Sequence, residues 1–234
     1  MPPGGSTITG LDPLLTQNPS LSPEEERSWL YYLAEISLRR IMNRILEEFY
    51  SRRETWWNSN NFSLLLAQYR SFLDELILWR QHIPHQLQFD EATIPGNEFA
   101  FFLKGRYYMC HEWIQRPFLY YILHQPPNDL HRVDAVPIAQ KCLQNCSTLI
   151  TIFSHHHRHG AIWSVVRRSL SCALLLLAAA RKGFEEPLVD WKAQIEITLQ
   201  TMAKWEREAI DLQWAKRVLQ DIMQVTLDGQ GFAV

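Results

Sequence analysis

The residues best suited to chemistry in this chain are its cysteines and a histidine-rich turn. Cys142 and Cys146 stand four residues apart, so on a helix their sulfurs share a face, and His155, His156, His157 and His159 follow closely. Thiolates and imidazoles at this density are the ligands zinc prefers. Structural zinc sites, however, usually draw two ligands from a tight knuckle such as CxxC, and none is present. The histidines fall where a helix is expected to end, and their charged form suits the negative end of its dipole. No oxyanion donor or orienting carboxylate can be placed around a Cys–His pair. The expectation is therefore small buried thiols beside a polar helix end.

A second string, His111-Glu-Trp-Ile-Gln115, falls one imidazole short of the HExxH zinc motif. Zinc needs two histidines one turn apart on one helix face, and Gln115 stands in the second place. Glu112 is accordingly read as a polar residue on a helix flank. The carboxylate pairs Glu47–Glu48 and Glu185–Glu186 are sequence neighbours, which do not face each other on a helix, and read as solvent charges. The only GxG, Gly229–Gln230–Gly231, has no helix after it, and neither a phosphate-binding loop nor a GxSxG elbow occurs. These readings predict no catalytic residue, no cofactor and no metal ligand, hence no enzyme. A helical enzyme with a His/Cys metal site is the least favoured alternative.

The elements that must position these residues are helices. Residues 1–21, rich in Gly, Pro, Ser and Thr, read as a flexible leader. Ser22, Pro23 and Glu25 make a helix start of the capping-box type. Leu30, Ala34, Leu38, Ile41, Ile45 and Phe49 then recur at steps of three and four, which predicts a helix over 23–53. A second helix over 62–82 buries Leu65, Tyr69, Phe72, Leu76 and Trp79. Leu87 and Phe89, between Pro84 and Pro95, read as anchors pinning an irregular segment. A third helix starts near Asn97 and should kink or restart at Pro117, where a backbone donor is lost. Further helices are expected over 131–155, with Val136, Ala139, Leu143, Ile150 and Phe153 inward, and over 161–181. The latter is apolar nearly all round after Leu170 and is expected at the centre, with Gly183 as its stop. Pro187 opens a helix carrying Trp191, Ile195, Leu199 and Met202. A last amphipathic helix carries Leu212, Ala215, Leu219, Ile222 and Val225. No alternating run argues for a sheet. The fold class is all-α: one multi-helix domain over 22–228, followed by a tail over 229–234.

With 23 basic and 25 acidic side chains the formal charge is −2. A surface that binds nucleic acid by itself needs a basic excess, which this chain lacks. The longest apolar run, Cys172 to Ala180, is far short of the roughly 20 residues that span a bilayer. The start of the chain lacks a secretory pattern, which points to a reducing compartment with free thiols.

The strings Trp29–Arg40 (WLYYLAEISLRR), Gly105–Tyr121 (GRYYMCHEWIQRPFLYY), Ser171–Arg181 (SCALLLLAAAR) and Met202–Ala209 (MAKWEREA) resemble, in this order, the C-terminal regulatory region of fungal zinc binuclear-cluster transcription factors. The resemblance covers about 23–220. It implies an all-helical regulatory domain that modulates transcription through protein partners or a small-molecule effector, a nuclear location and a possible homodimer; without the resemblance the expectation is cytoplasmic. The six-cysteine DNA-binding head of that family has no counterpart in the four cysteines here. No direct contact with nucleic acid is therefore expected, and a truncated or orphan fragment that pairs with relatives is the alternative. Within the most family-like string, Arg106, Tyr107, His111, Arg116 and Tyr120 are the candidate effector or partner contacts, since Arg and Tyr supply directed polar contacts in an apolar cleft.

Overall fold

The computed structural model describes residues 22–157, 162–184 and 189–230, and all the regular structure in them is helical. Seven α-helices follow in order: α1 (Pro23–Tyr50), α2 (Phe62–His82), α3 (Glu98–His124), α4 (Arg132–Ser154), α5 (Ile162–Arg181), α6 (Trp191–Trp205) and α7 (Ile210–Gln230). They pack around one continuous apolar core that runs from Ala34 to Leu219. The leader, His159 and Pro187 lie outside the described residues.

Local chemistry sets the helix starts. Ser22 Oγ accepts from the Glu25 amide while the Glu25 carboxylate accepts from the Ser22 amide, so two orphan donors of α1 are satisfied together. The Asn97 side chain accepts from the amides of Phe99 and Ala100 at the start of α3, and Asp190 caps α6 through Ala193. α6 thus begins at Trp191, later than the proline-based start expected. Gly183, at φ +66°, closes α5: the amides of Phe184 and Gly183 reach back to the carbonyls of Ala179 and Ala180.

Two expectations about the centre are corrected. α3 does not kink or restart at Pro117; it is continuous from Glu98 to His124. Proline there leaves the Trp113 carbonyl without its helical donor, and the Tyr50 hydroxyl from α1 supplies one at 2.7 Å. The central helix is α3, not α5. Of its 27 residues, 16 are buried, and it packs on α1, α2, α4 and α5. α5 instead leaves Leu174 exposed and lies between α4 and the α6–α7 pair. The seam between α3 and α4 is the most extensive in the molecule. It closes tightly at Gly105, where a Cβ would stand 3.0 Å from the Phe153 ring. On α7, Leu212 and Leu219 are buried, whereas Val225 points to solvent, against expectation.

The segment between α2 and α3 is pinned as its anchors predict. Leu87 and Phe89 are buried, and Arg80 lies over the Phe89 ring and donates to its carbonyl. Lys104, on α3, is 1% exposed. Its ammonium donates to the carbonyls of Asp90, Glu91 and Thr93, each at 2.8 Å.

Candidate functional site

In the middle of the α3–α4 seam, Glu112 is completely buried. A lone carboxylate cannot be buried cheaply, and it is compensated from its own helix. Arg116, one turn on, places Nε 2.7 Å from Oε1 and Nη2 2.9 Å from Oε2. Burial works to lower the Arg116 pKa, but the Glu112 charge and its hydrogen bonds outweigh this and raise it. Ser171 of α5 steadies the same guanidinium at 3.3 Å, and 23% of the Arg116 side chain remains exposed.

Opposite Glu112, α4 presents Cys142 and Cys146 one turn apart. A ligand atom from each of the three residues lies within 4.8 Å of the others. All three are fully buried. Cys142 Sγ donates to the Glu112 carbonyl at 3.9 Å. Cys142 also hydrogen-bonds with Cys146, and Cys146 with Cys172 of α5. Burial pushes the Cys142 thiol up. The hydrogen bond with Cys142, then burial, raise Cys146 against the opposing bond with Cys172, and the bond with Cys146, then burial, raise Cys172. All three are thiols near neutral pH.

The expectation that the chain is no enzyme is overturned here. A buried carboxylate facing two cysteines is a metal-ligating set of the type found in active sites. Two thiolates and a carboxylate match zinc or a similar borderline ion, and three protein ligands leave one position open, as catalytic sites do. Two sulfurs bound to one tetrahedral zinc stand about 3.8 Å apart, given bond lengths of about 2.3 Å. No two of the three ligand atoms are more than 4.8 Å apart, so the set needs a contraction of at most about 1 Å. Glu112 keeps unused lone pairs beyond the two that Arg116 occupies, because a carboxylate has about four acceptor sites.

The five residues singled out in the family-like string are not brought together. At about 100° per residue, Tyr107 and His111 point to one side of α3 and Arg106, Arg116 and Tyr120 to the other. Arg106 pairs with Glu35 of α1 at 2.5 Å and borders an apolar cleft. Tyr107 is buried between Trp79 and His111. His111 lines a different, polar cleft with Tyr108 and Lys141. Burial, helped by the Lys141 charge, lowers its pKa to about 4, so the ring is neutral. Tyr120 stacks on His124 and meets Trp57 edge-on.

Of the histidine turn, His155 and His156 have partners other than the thiols. His155 bonds back to the Thr151 carbonyl, and His156 packs against Phe101, Phe102 and Trp205. The partner of the two cysteines in this candidate ligand set that sequence reasoning missed is Glu112. The available signal was Glu112 with Arg116, an opposite-charge pair one turn apart inside an otherwise apolar stretch. Among the described residues no helix is long and apolar enough to cross a membrane. No family model matches the chain, and neither a curated protein nor a solved structure matches it.

Proposed function

We propose that this chain is a metal-dependent all-α protein, with Glu112, Cys142 and Cys146 as the ligands of one divalent cation of zinc type. The observation that carries the reading is the convergence of these three buried groups from two helices, with ligand atoms within 4.8 Å of one another. When bound, such a cation supplies Lewis-acid polarisation at its open position. The residues around it have defined tasks. Glu112 contributes fixed negative charge, and the two thiols yield their protons to the solvent on binding. Arg116 orients Glu112 and keeps a cation beside the site.

The test is elemental analysis of reduced full-length chain purified from zinc-replete medium. One zinc per chain is expected, falling below a tenth of that in Cys142→Ser and in Glu112→Gln. A zinc-free wild-type chain that also fails to take up the ion on dialysis contradicts the reading. Cys172→Ser decides the fourth position. Retention of zinc leaves the position open for catalysis, whereas its loss makes Cys172 a fourth ligand and the site structural.

A second reading is the regulatory domain of a fungal zinc-cluster type transcription factor, or an orphan fragment of one, acting through protein partners or an effector. It is supported by the placement of the three longest family-like strings on α1, α3 and α5, three of the four helices that line the apolar cleft next to Arg106. Fusion of the chain to a heterologous DNA-binding module tests it. Reporter output that responds to added small molecules or to co-expressed proteins is expected, and output that responds to neither contradicts it.

A further inference from the structure

A cleft of about 240 Å³ opens between α1, α3, α4 and α5. Its walls are Met42, Phe101, Phe102, Met109 and Phe153, and two guanidinium groups, Arg106 and Arg168, stand at its edge. Their situations differ. Arg106 is paired with Glu35, which also receives Arg39. Arg168 lies over the Trp113 ring, 4.9 Å from its centroid. Among the described residues it meets no carboxylate and no hydrogen-bond acceptor. A half-buried guanidinium resting over an aromatic ring, with its donor fork unused, is arranged to receive a planar anion.

We propose that this cleft binds a small aromatic monocarboxylate, with its ring between the phenylalanines and its carboxylate forked on Arg168. The pairing sets the anion. Arg106 is already engaged by Glu35, so Arg168 is the guanidinium at the cleft edge left for a ligand, and it matches one negative charge. The wall chemistry sets the body, since phenyl rings and thioethers favour a flat aromatic partner over a polar one. The size sets the limit. A cleft of about 240 Å³ lies below the roughly 300–1,000 Å³ typical of drug-sized ligands, so one ring or two fused rings fit. The site does not depend on a metal at Glu112, and it gives the regulatory reading a ligand class for its effector.

The test is calorimetric titration of the reduced, metal-free full-length chain with 2-naphthoate and with its uncharged amide. Saturable one-to-one binding of the acid is expected, with the amide at least tenfold weaker. Arg168→Gln should weaken the acid tenfold or more and leave the amide unchanged. Arg168→Lys should restore only part of the loss, because an ammonium cannot fork. Met109→Trp, which fills the cleft, should abolish binding of both while circular dichroism shows a folded chain. Equal affinities for acid and amide overturn the proposal, as does wild-type binding by Arg168→Gln or Met109→Trp, or no binding of the acid at millimolar concentration. A chain that binds naphthoate but no zinc keeps this inference and loses the metal reading; the opposite pair of results does the reverse.

Discussion

Lys104 and Glu112 sit two turns apart on the same helix, and both are buried, at 1% and 0% exposure. The lysine is chemically finished. Its three N–H donors meet three backbone carbonyls, all at 2.8 Å, so nothing is left to offer a ligand. The carboxylate is only half finished. Arg116 takes one lone pair from each oxygen, and the unused ones share their surroundings with two thiols. Burial of a charge therefore does not make a site by itself; what matters is the bonding capacity left over once neighbours are counted. Lys104 serves to pin the 83–97 segment onto α3, and Glu112 is left with the capacity to serve the proposed ligand set.

Four variants break or sharpen this contrast. Lys104→Met should cost about 4–5 kcal/mol, because it strands three carbonyls and frees the pinned segment. Urea unfolding measures this, and zinc uptake by the folded fraction should be unchanged. Glu112→Gln should cost about 3–4 kcal/mol, because Arg116 loses its counter-charge in a mostly buried place, and it should remove zinc uptake as well. A loss of stability with zinc retained would put Glu112 in the same class as Lys104.

His111 is a third kind of polar group on α3, half-buried, and it limits the cost of desolvation by staying neutral. Its folded pKa of about 4 lies below the unfolded value near 6.5. Between these values the unfolded chain binds the extra proton, so the stability from this group is intact above pH 6.5 and is lost as pH falls through 4. The total loss is up to roughly 3 kcal/mol. His111→Asn should flatten this part of the stability–pH curve, measured by thermal unfolding across pH 4–7. The smallest effect belongs to Cys146→Ser. In metal-free protein it should shift stability by only about 1 kcal/mol, since a small thiol is exchanged for a hydroxyl that can bond locally. The stabilisation that added zinc gives the wild type should vanish.

The helical class was legible because stripes such as Leu65–Tyr69–Phe72–Leu76–Trp79 can be buried only on one helix face, and all five are buried. The cap at Ser22, the helix start near Asn97 and the stop at Gly183 were legible for the same local reason. The uninterrupted passage of α3 through Pro117 was not, because the donor that replaces the missing amide comes from Tyr50, 63 residues away in sequence. The centrality of α3 was hidden by its polar residues. Lys104, Glu112 and Gln115 look solvated in sequence and are buried through partners in other elements or one turn away. The site was half legible. The spacing of Cys142 and Cys146 gave their common face, but the histidines downstream were the wrong partners, and Glu112 comes from another helix.

The most direct test of the central claim is a cobalt(II) titration of the reduced chain, followed by absorption. One equivalent should produce thiolate-to-metal charge-transfer bands together with the intense visible bands of a tetrahedral ion. The end point should sharpen as pH rises, because the raised thiols must lose their protons to bind. Cys142→Ser should erase the charge-transfer bands. A spectrum of octahedral, oxygen-bound cobalt in the wild type, or one that Cys142→Ser leaves intact, would mean that Glu112, Cys142 and Cys146 form no metal centre.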